Sequence, residues 1–399
     1  MKNGEFITTR YRFFTLISSL LTLNIMPGIY AHIPFCRSRC IYCGFYSTTC
    51  LDLRTRYVDA LCREMELRKD YIGGTFGTIY LGGGTPSQLD PADIGRLLAY
   101  IYKVYRIADD AEVTIECNPD DVTPGFTDAL KAMPVNRVSM GVQTFSDARL
   151  RFLHRRHNAE EAAQAVTRLR RAGIGNISID LMFGFPGETM QDWQADVDRA
   201  LSLAPEHISA YSLMYEEGTA LQRMLEQGEV KEIDEELSLA MYDALTDRLA
   251  RAGYEHYEIS NFARPGFRSR HNSSYWHQEP YIGLGAAAHS FDLRSRQWNT
   301  ADLEAYISAI EKGHIPMERE PLDTRTTYND IVTTALRTSD GIPLERLTAR
   351  LGAAFTEYLT KEAAPYIARG LMEQRGSNLR LTRRGIYISD DIMSDLMMV

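Results

Sequence analysis

With 399 residues the chain is long enough for a large core, and 44% hydrophobic against 24% charged residues excludes disorder as its dominant state. Its 44 lysines and arginines against 53 aspartates and glutamates leave a formal charge of −9, which disfavours a protein whose affinity comes mainly from neutralising phosphates. Six cysteines are too few for a disulfide scaffold, and Cys36, Cys40 and Cys43 crowd together as reduced thiolates would.

At the start, Lys2, Arg10 and Arg12 precede an apolar run from Phe13 to Ile25 that looks like a signal peptide. No small-x-small cleavage site closes the run, and it falls short of the about 20 residues a membrane span needs. Residues 1–25 therefore read as a spurious or disordered extension, with Met26 as an alternative start and export as the competing reading. Beyond it, β-branched or aromatic runs predict strands at Gly28–Ile33, Thr75–Leu81, Glu112–Cys117, Arg137–Val142, Ile177–Phe183 and His207–Leu213. Apolar spacing of i, i+3, i+4 predicts helices at Leu51–Lys69, Pro91–Tyr105, Thr123–Ala132, Ala159–Ala172, Thr189–Leu203 and Asp234–Ala252. Pro91 and Pro124 suit first-turn positions, and Gly173 and Gly253 suit C-terminal stops.

Six βα units in succession mean α/β architecture with a parallel sheet, and periodicity leaves open whether it is doubly wound or curled into a barrel. Chemistry-bearing residues come at successive strand ends: the cysteines, then Gly82-Gly83-Gly84-Thr85, Glu116 with Asn118, Gln143, and Asp180 within strand five. That ring is what the active face of a barrel requires. From Gly253 to Asn299 the chain is aromatic-rich and irregular, and helices follow at Leu303–Lys312 and Tyr328–Arg337. Helices at Leu344–Leu351 and Phe355–Arg369, then a hairpin of Leu371–Gln374 with Leu379–Thr382 and a turn over Thr382–Ile388, suggest a winged-helix unit. Glu357 and Glu362 make its second helix unlike a groove-reading one, so the unit reads as an appended structural domain. The expected division is 1–25 extension, 26–253 core barrel, 254–315 barrel-completing segment and 316–399 C-terminal domain.

The C-x3-C-x2-C spacing on a tight loop lets three thiolates hold a four-iron cluster with one iron left open for an exchangeable chelating molecule. The alternative is a structural zinc with His32 or Cys50 as fourth ligand. Cys50, Cys62 and Cys117 lack ligand spacing and read as small buried hydrophobes.

Cys36 to Cys43, with Tyr42 before the last cysteine, resembles the radical S-adenosylmethionine (SAM) motif. Tyr30-Ala-His-Ile-Pro-Phe-Cys36 resembles the oxygen-independent coproporphyrinogen III oxidase family in particular. The likeness continues through Gly82-Gly-Gly-Thr-Pro-Ser87, Ile115-Glu-Cys-Asn-Pro119, Arg137-Val-Ser-Met-Gly-Val-Gln143, Ile179-Asp-Leu-Met-Phe-Gly184, His207-Ile-Ser-Ala-Tyr211, Tyr257-Glu-Ile-Ser-Asn-Phe-Ala263 and Tyr281-Ile-Gly-Leu-Gly-Ala286. The oxidases carry a fourth cysteine where this chain has Phe45, and the HemW-type heme chaperone branch shares His-Asn-x-x-Tyr-Trp, here His271 to Trp276. Both features resemble the chaperone branch, although many of its members have Asp where Gly44 stands.

The resemblance implies a partial (β/α)6 TIM-like radical SAM barrel with a C-terminal helical, winged-helix-like domain. It implies a [4Fe-4S] cluster on Cys36, Cys40 and Cys43, with SAM chelating the open iron. Tyr30, Gly83, Gly84, Thr85 and Glu116 are the implied SAM contacts, and Gln143, Arg155 and Asp180 match positions that hold a second SAM or surround substrate in the oxidase. His271 is the implied heme ligand, with Tyr275 and Trp276 as flat apolar surface. His289 is a second candidate that reads rather as a packed core histidine, and His32 reads as orienting the cluster loop. Arg268 and Arg270 are the candidate propionate partners. The resulting expectation is a cytoplasmic, non-catalytic chaperone that passes heme to acceptor proteins, membrane-associated ones among them, forms a homodimer and has no nucleic-acid partner. The alternative is the oxidase itself, decarboxylating porphyrinogen propionates. A nucleic-acid-modifying radical enzyme is disfavoured by the acidic total.

Overall fold

A computed structural model describes residues 26–399, and the extension expected at 1–25 lies outside the described residues. Every predicted strand of the first half forms, the first with the expected ends and the others with shifted ones: β1 (Gly28–Ile33), β2 (Phe76–Gly83), β3 (Ile107–Cys117), β4 (Arg137–Gln143), β5 (Asn176–Phe183) and β6 (His207–Ser212). They pair in parallel in sequence order, 1-2-3-4-5-6. A doubly wound sheet would reverse direction at a switch point. Right-handed crossovers that all step the same way put their helices on one face and leave the other to curl round a lumen. The question that periodicity leaves open is thus decided for a barrel-like sheet.

The barrel does not close on itself. Beyond β6 come β8 (Asn261–Ala263) and β7 (Glu255–Glu258), antiparallel. On the other side β9 (Tyr281–Leu284) pairs in parallel with β1, and β10 (His289–Phe291), β11 (Ser295–Asn299) and β12 (Met317–Pro321) continue antiparallel, making twelve strands in all. The helices pack by their apolar stripes: Arg54–Leu67 buries Tyr57, Val58, Leu61 and Met65 against the sheet. Their starts are set by side chains, as in the capping boxes of Asn158 with Glu161 and of Thr189 with Asp192.

One polar group sits inside this core. Glu64 accepts from Arg68 Nη1 (3.2 Å), Gly285 N (2.8 Å), Asn299 Nδ2 (2.8 Å) and Tyr306 Oη (2.6 Å). Arg68 in turn donates to the Gly283 carbonyl, Ser290 Oγ and Gln297 Oε1. The pair stitches the helix Arg54–Leu67 to the β9–β11 ribbon.

A second core runs from Tyr328 to Leu396. Its helices Thr324–Ala335, Leu344–Leu351 and Ala353–Ala368 pack on a small sheet, β13 (Ile342–Pro343), β14 (Met372–Arg375) and β15 (Asn378–Leu381), in the order β13-β15-β14. The first helix starts four residues earlier than its periodicity suggests because Asp323 caps it. Two of its basic residues are used within the protein: Arg383 pairs with Asp243 and Asp247 of the helix Glu235–Arg251, and Arg380 with Glu373. Cys62 and Cys117 are buried as expected, whereas Cys50 is exposed at the start of a short 3-10 turn.

Candidate functional site

The cysteine loop leaves β1 at Ile33 and is pinned at its base by Cys36 N to the Thr48 carbonyl (2.9 Å) and Thr48 N to the Pro34 carbonyl (2.7 Å). Its middle is held down by Ile41, which is buried with Leu153, Met182, Phe185, Leu213 and Leu221. Backbone bonds from Ile41 N to Leu153 O and from Leu221 N to Ile41 O fasten it over the ends of β4 and β6. The three thiols are free, half-buried and line one cavity of about 380 Å³.

Zinc–sulfur bonds of about 2.3 Å would draw three ligand sulfurs tightly together. Among the described residues no three His, Cys, Asp or Glu side chains are grouped closely enough to hold a single metal ion. The proposed fourth zinc ligands are also elsewhere: Cys50 is exposed, and both His32 nitrogens are engaged, Nδ1 with Tyr30 Oη (2.9 Å) and Nε2 with the Tyr46 carbonyl (3.0 Å). Three thiols around one cavity suit a cluster, whose irons stand between the sulfurs. Burial raises the Cys36 and Cys43 thiol pKa values, so bound iron is what would favour their thiolates.

Gly83, Gly84, Thr85, Glu116, Gln143, Arg155 and Asp180 line the same cavity. Thr85 Oγ1 lies 3.4 Å from Cys36 Sγ, and Arg155 donates to the Gly141 carbonyl (2.5 Å), Asn118 Oδ1 (2.7 Å) and Cys40 Sγ (3.6 Å). Gln143 is held at φ 69 beside a register shift in β4, a strained conformation that presents it at the strand end. The two glycines, which line the cavity, also have a packing reason to be glycine. A Cβ on Gly83, whose φ is +112, would meet the His32 ring, and one on Gly84 would lie 2.8 Å from the Pro34 backbone. They are glycine because the end of β2 packs directly on the cysteine loop.

Whether SAM suits the cavity can be judged from its unpaired groups. Arg137 is buried with Nε and Nη1 lacking partners among the described residues, and Arg155 Nε is likewise unpaired. Two guanidiniums with buried spare donors fit a carboxylate, and Glu116 fits an ammonium or ribose hydroxyls. The residues present therefore fit an amino-acid-bearing cofactor held over the cluster.

Glu116 accepts from Tyr80 Oη (2.7 Å) and Gly83 N (3.1 Å), and burial outweighs those bonds to push its pKa up to about 7. The raised value means that its contribution to folding is largest below the ordinary 4.5 and is lost as pH rises through about 7. Binding of a cation has the opposite sense. SAM affinity, measured anaerobically by equilibrium dialysis on the cluster-loaded chain, is expected to strengthen as pH rises through about 7. Glu116→Gln is expected to flatten that profile and weaken binding about tenfold; an unchanged profile would remove Glu116 from the site.

The motif expected to bind heme lies elsewhere. His271 is 1% exposed, next to Gly28 and Thr78 where β1 and β2 begin, at the end of the barrel opposite the cysteine loop. Its nitrogens are both engaged, Nδ1 with Thr78 Oγ1 (2.7 Å) and Nε2 with Tyr275 Oη (2.8 Å), and burial lowers its pKa to about 3. Glu112 accepts from the backbone N–H of Arg270 and His271, docking the helix Arg270–Trp276 as a plug beneath the lumen. Asn272 reaches the cavity, whereas Tyr275 packs on Tyr281 and Trp276 faces a small crevice beside Arg346 and Arg350. The expected flat heme surface of Tyr275 and Trp276 is not assembled, because helical geometry sends the two side chains to different sides. Tyr30 is not on the cavity wall either; its hydroxyl is tied to His32 and its ring stacks on His271. The candidate propionate partners are taken, Arg268 by Glu255 and Asp340 and Arg270 by Asp110. His289, expected in the core, is exposed.

Several wall residues escaped the sequence reading: Tyr80, Arg137, Asn118, Tyr211, Met214 and Glu216. Arg137 could have been suspected, being a charge in an otherwise apolar parallel strand. Phe45, Met214 and Tyr211 stand exposed at 72%, 58% and 39% on the cavity wall, an apolar lip beside the cysteines. A Cβ at Gly44 would meet the tip of the exposed Glu216 side chain, which is free to swing aside.

A parallel six-stranded partial barrel with a three-cysteine loop over its lumen defines a radical SAM protein, and residues 30–200 match the Radical SAM superfamily. Residues 322–388 match the HemN C-terminal domain. The chain is 35% identical over 376 residues to the heme chaperone HemW of Mycobacterium tuberculosis, covering 93% of this chain and 94% of that one. It is 33% identical over 371 residues to the heme chaperone HemW of Bacillus subtilis, covering 92% and 98%. The chain belongs to the HemW heme chaperone family. The coproporphyrinogen III oxidase HemN of Escherichia coli shares the fold, with a TM-score of 0.81 and 23% identity over 96% of this chain and 93% of that one.

Proposed function

We propose that the protein is a heme chaperone that carries a [4Fe-4S] cluster on Cys36, Cys40 and Cys43, binds SAM in the cavity beneath them, and passes heme to acceptor proteins. The observation that carries this reading is the full-length identity to heme chaperones. Phe45 supports it against the oxidase reading: where the oxidases resembled above place a fourth cysteine, this chain exposes an apolar ring. When bound, the cluster supplies an open iron and an electron, with SAM as its chelating ligand. The chain's own residues hold and shelter that assembly. Arg137 and Arg155 face carboxylate, Glu116 faces the ammonium or ribose side, and Ile41 fixes the loop.

Transfer in the cytoplasm, by a homodimer and to membrane-associated acceptors among others, belongs to the same proposal. No described helix is long and apolar enough to cross a membrane. The test uses the full chain, anaerobically reconstituted with iron and sulfide, loaded with hemin and mixed with an apo heme protein. Movement of the Soret signal to the acceptor, with no decarboxylation of coproporphyrinogen III when SAM and reductant are added, is expected. Porphyrinogen turnover without heme transfer would overturn the reading in favour of the oxidase.

A further inference from the structure

The small crevice that Trp276 faces lies where the helix Arg270–Trp276 meets the C-terminal domain, against the helix Leu344–Leu351. Its volume is about 40 Å³, and one water needs roughly 10–15 Å³ of such space, so an ion of about four or five heavy atoms has room there. Two of its lining residues carry a buried polar atom without a partner among the described residues. These are Trp276 Nε1, a donor, and Gln278 Oε1, an acceptor. The Gln278 amide is fixed in that sense, because its Nε2 donates to Thr334 Oγ1 (3.3 Å), whose own hydroxyl is spent on the Asp330 carbonyl (2.7 Å). Folded proteins leave few such atoms unsatisfied.

Two guanidiniums complete the lining. Arg346 and Arg350 stand one helical turn apart on the same face and make no hydrogen bond or ion pair among the described residues. Their neighbours differ: Arg268, Arg270, Arg296 and Arg337 each have a carboxylate. Burial, and then the charge of Arg346, hold Arg350 below the ordinary guanidinium value, as expected of two like charges with nothing between them. The acidic groups around them are already engaged. Asp330 is held by Arg296 at 2.9 Å, Asp340 by Arg268 at 3.3 Å with His277 at 3.8 Å, and Glu258 by Arg337, whose guanidinium stacks on the Trp276 ring at 5.0 Å. Glu279 is near enough to feel the charge of Arg346 but forms no ion pair with it.

We propose that this crevice binds a small oxyanion that keeps one O–H, of the hydrogenphosphate class. Its anionic oxygens accept from Arg346, Arg350 and Trp276 Nε1, and its hydroxyl donates to Gln278 Oε1. Sulfate offers the charge without the proton. Phosphate monoesters, whose second pKa is about 6, have also lost that proton at neutral pH. Bound there, the ion joins the helix Arg270–Trp276 to the C-terminal domain.

The full chain, anaerobically reconstituted and saturated with SAM to occupy Arg137 and Arg155, is titrated at about pH 7.5 with inorganic phosphate, sulfate or glycerol 3-phosphate at constant ionic strength, and the melting temperature is read. Wild type is expected to gain about 2–3 °C, saturably, with inorganic phosphate alone. Arg346→Met and Arg350→Met are each expected to lose that gain, yet to melt no lower than wild type without phosphate, because one of two repelling charges is gone. A merely structural role would lower that baseline. Trp276→Phe keeps the ring beneath Arg337 and is expected to weaken phosphate binding about fivefold by losing the N–H. No gain in wild type, the same gain in the arginine variants, or an equal gain from sulfate or the ester overturns the proposal. None of these outcomes bears on heme transfer.

Discussion

Replacing Cys40 by alanine is expected to leave a folded chain that holds no four-iron cluster and, lacking the open iron, no measurable SAM. Three protein ligands are already the minimum from which such a cluster can hang, so losing one leaves two irons without anchors. The fold should not notice. Cys40 is half-buried at the cavity, outside the apolar cores, and Arg155 keeps its bonds to Gly141 and Asn118 when the sulfur is gone. Iron and sulfide content after anaerobic reconstitution should fall to background, while the cluster-free melting temperature stays within about 2 °C of wild type. Stoichiometric zinc in the wild-type chain, with no iron uptake, would instead favour the single-metal alternative.

The largest loss of stability is expected at Glu64→Ala. Glu64 is fully buried and receives four donors, from Arg68, Gly285, Asn299 and Tyr306. Removing it strands the Arg68 charge, itself 4% exposed, and three further donors, a change that typically costs about 3–5 kcal/mol. Glu64→Gln keeps the shape and one acceptor oxygen, so its loss should be smaller. Urea unfolding of both variants measures the difference. A Glu64→Ala chain as stable as wild type would mean that the network contributes register but little energy.

Much of the site was legible because its signals are local. The cysteine spacing, the glycine run after β2 and the polar residues ending β3, β4 and β5 all fall within single βα units, where strand and turn propensity act over a few residues. Those segments converge because each strand delivers its last residue to the same end of a parallel sheet. The motif His271 to Trp276 was just as visible, but its place in the fold was not. Nothing in six residues tells which end of the barrel they will plug; that follows from Glu112 on β3, which receives the helix N-terminus from more than 150 residues away in sequence.

His289 shows the same limit from the other side. Flanked by Ala286-Ala287-Ala288, it reads as core, yet it is exposed, because the pleat turns it away from the helix Arg54–Leu67 when its neighbour Ser290 is claimed by Arg68. The sequence by itself determined the order of strands and helices, the cysteine spacing and the family, since these depend on spacing along one chain. Only the tertiary structure decided which histidine is open, which arginines are spent on internal carboxylates and which are left with free donors in the cavity. Exposure and pairing are set by partners that the fold brings from distant parts of the chain, and no local pattern encodes them.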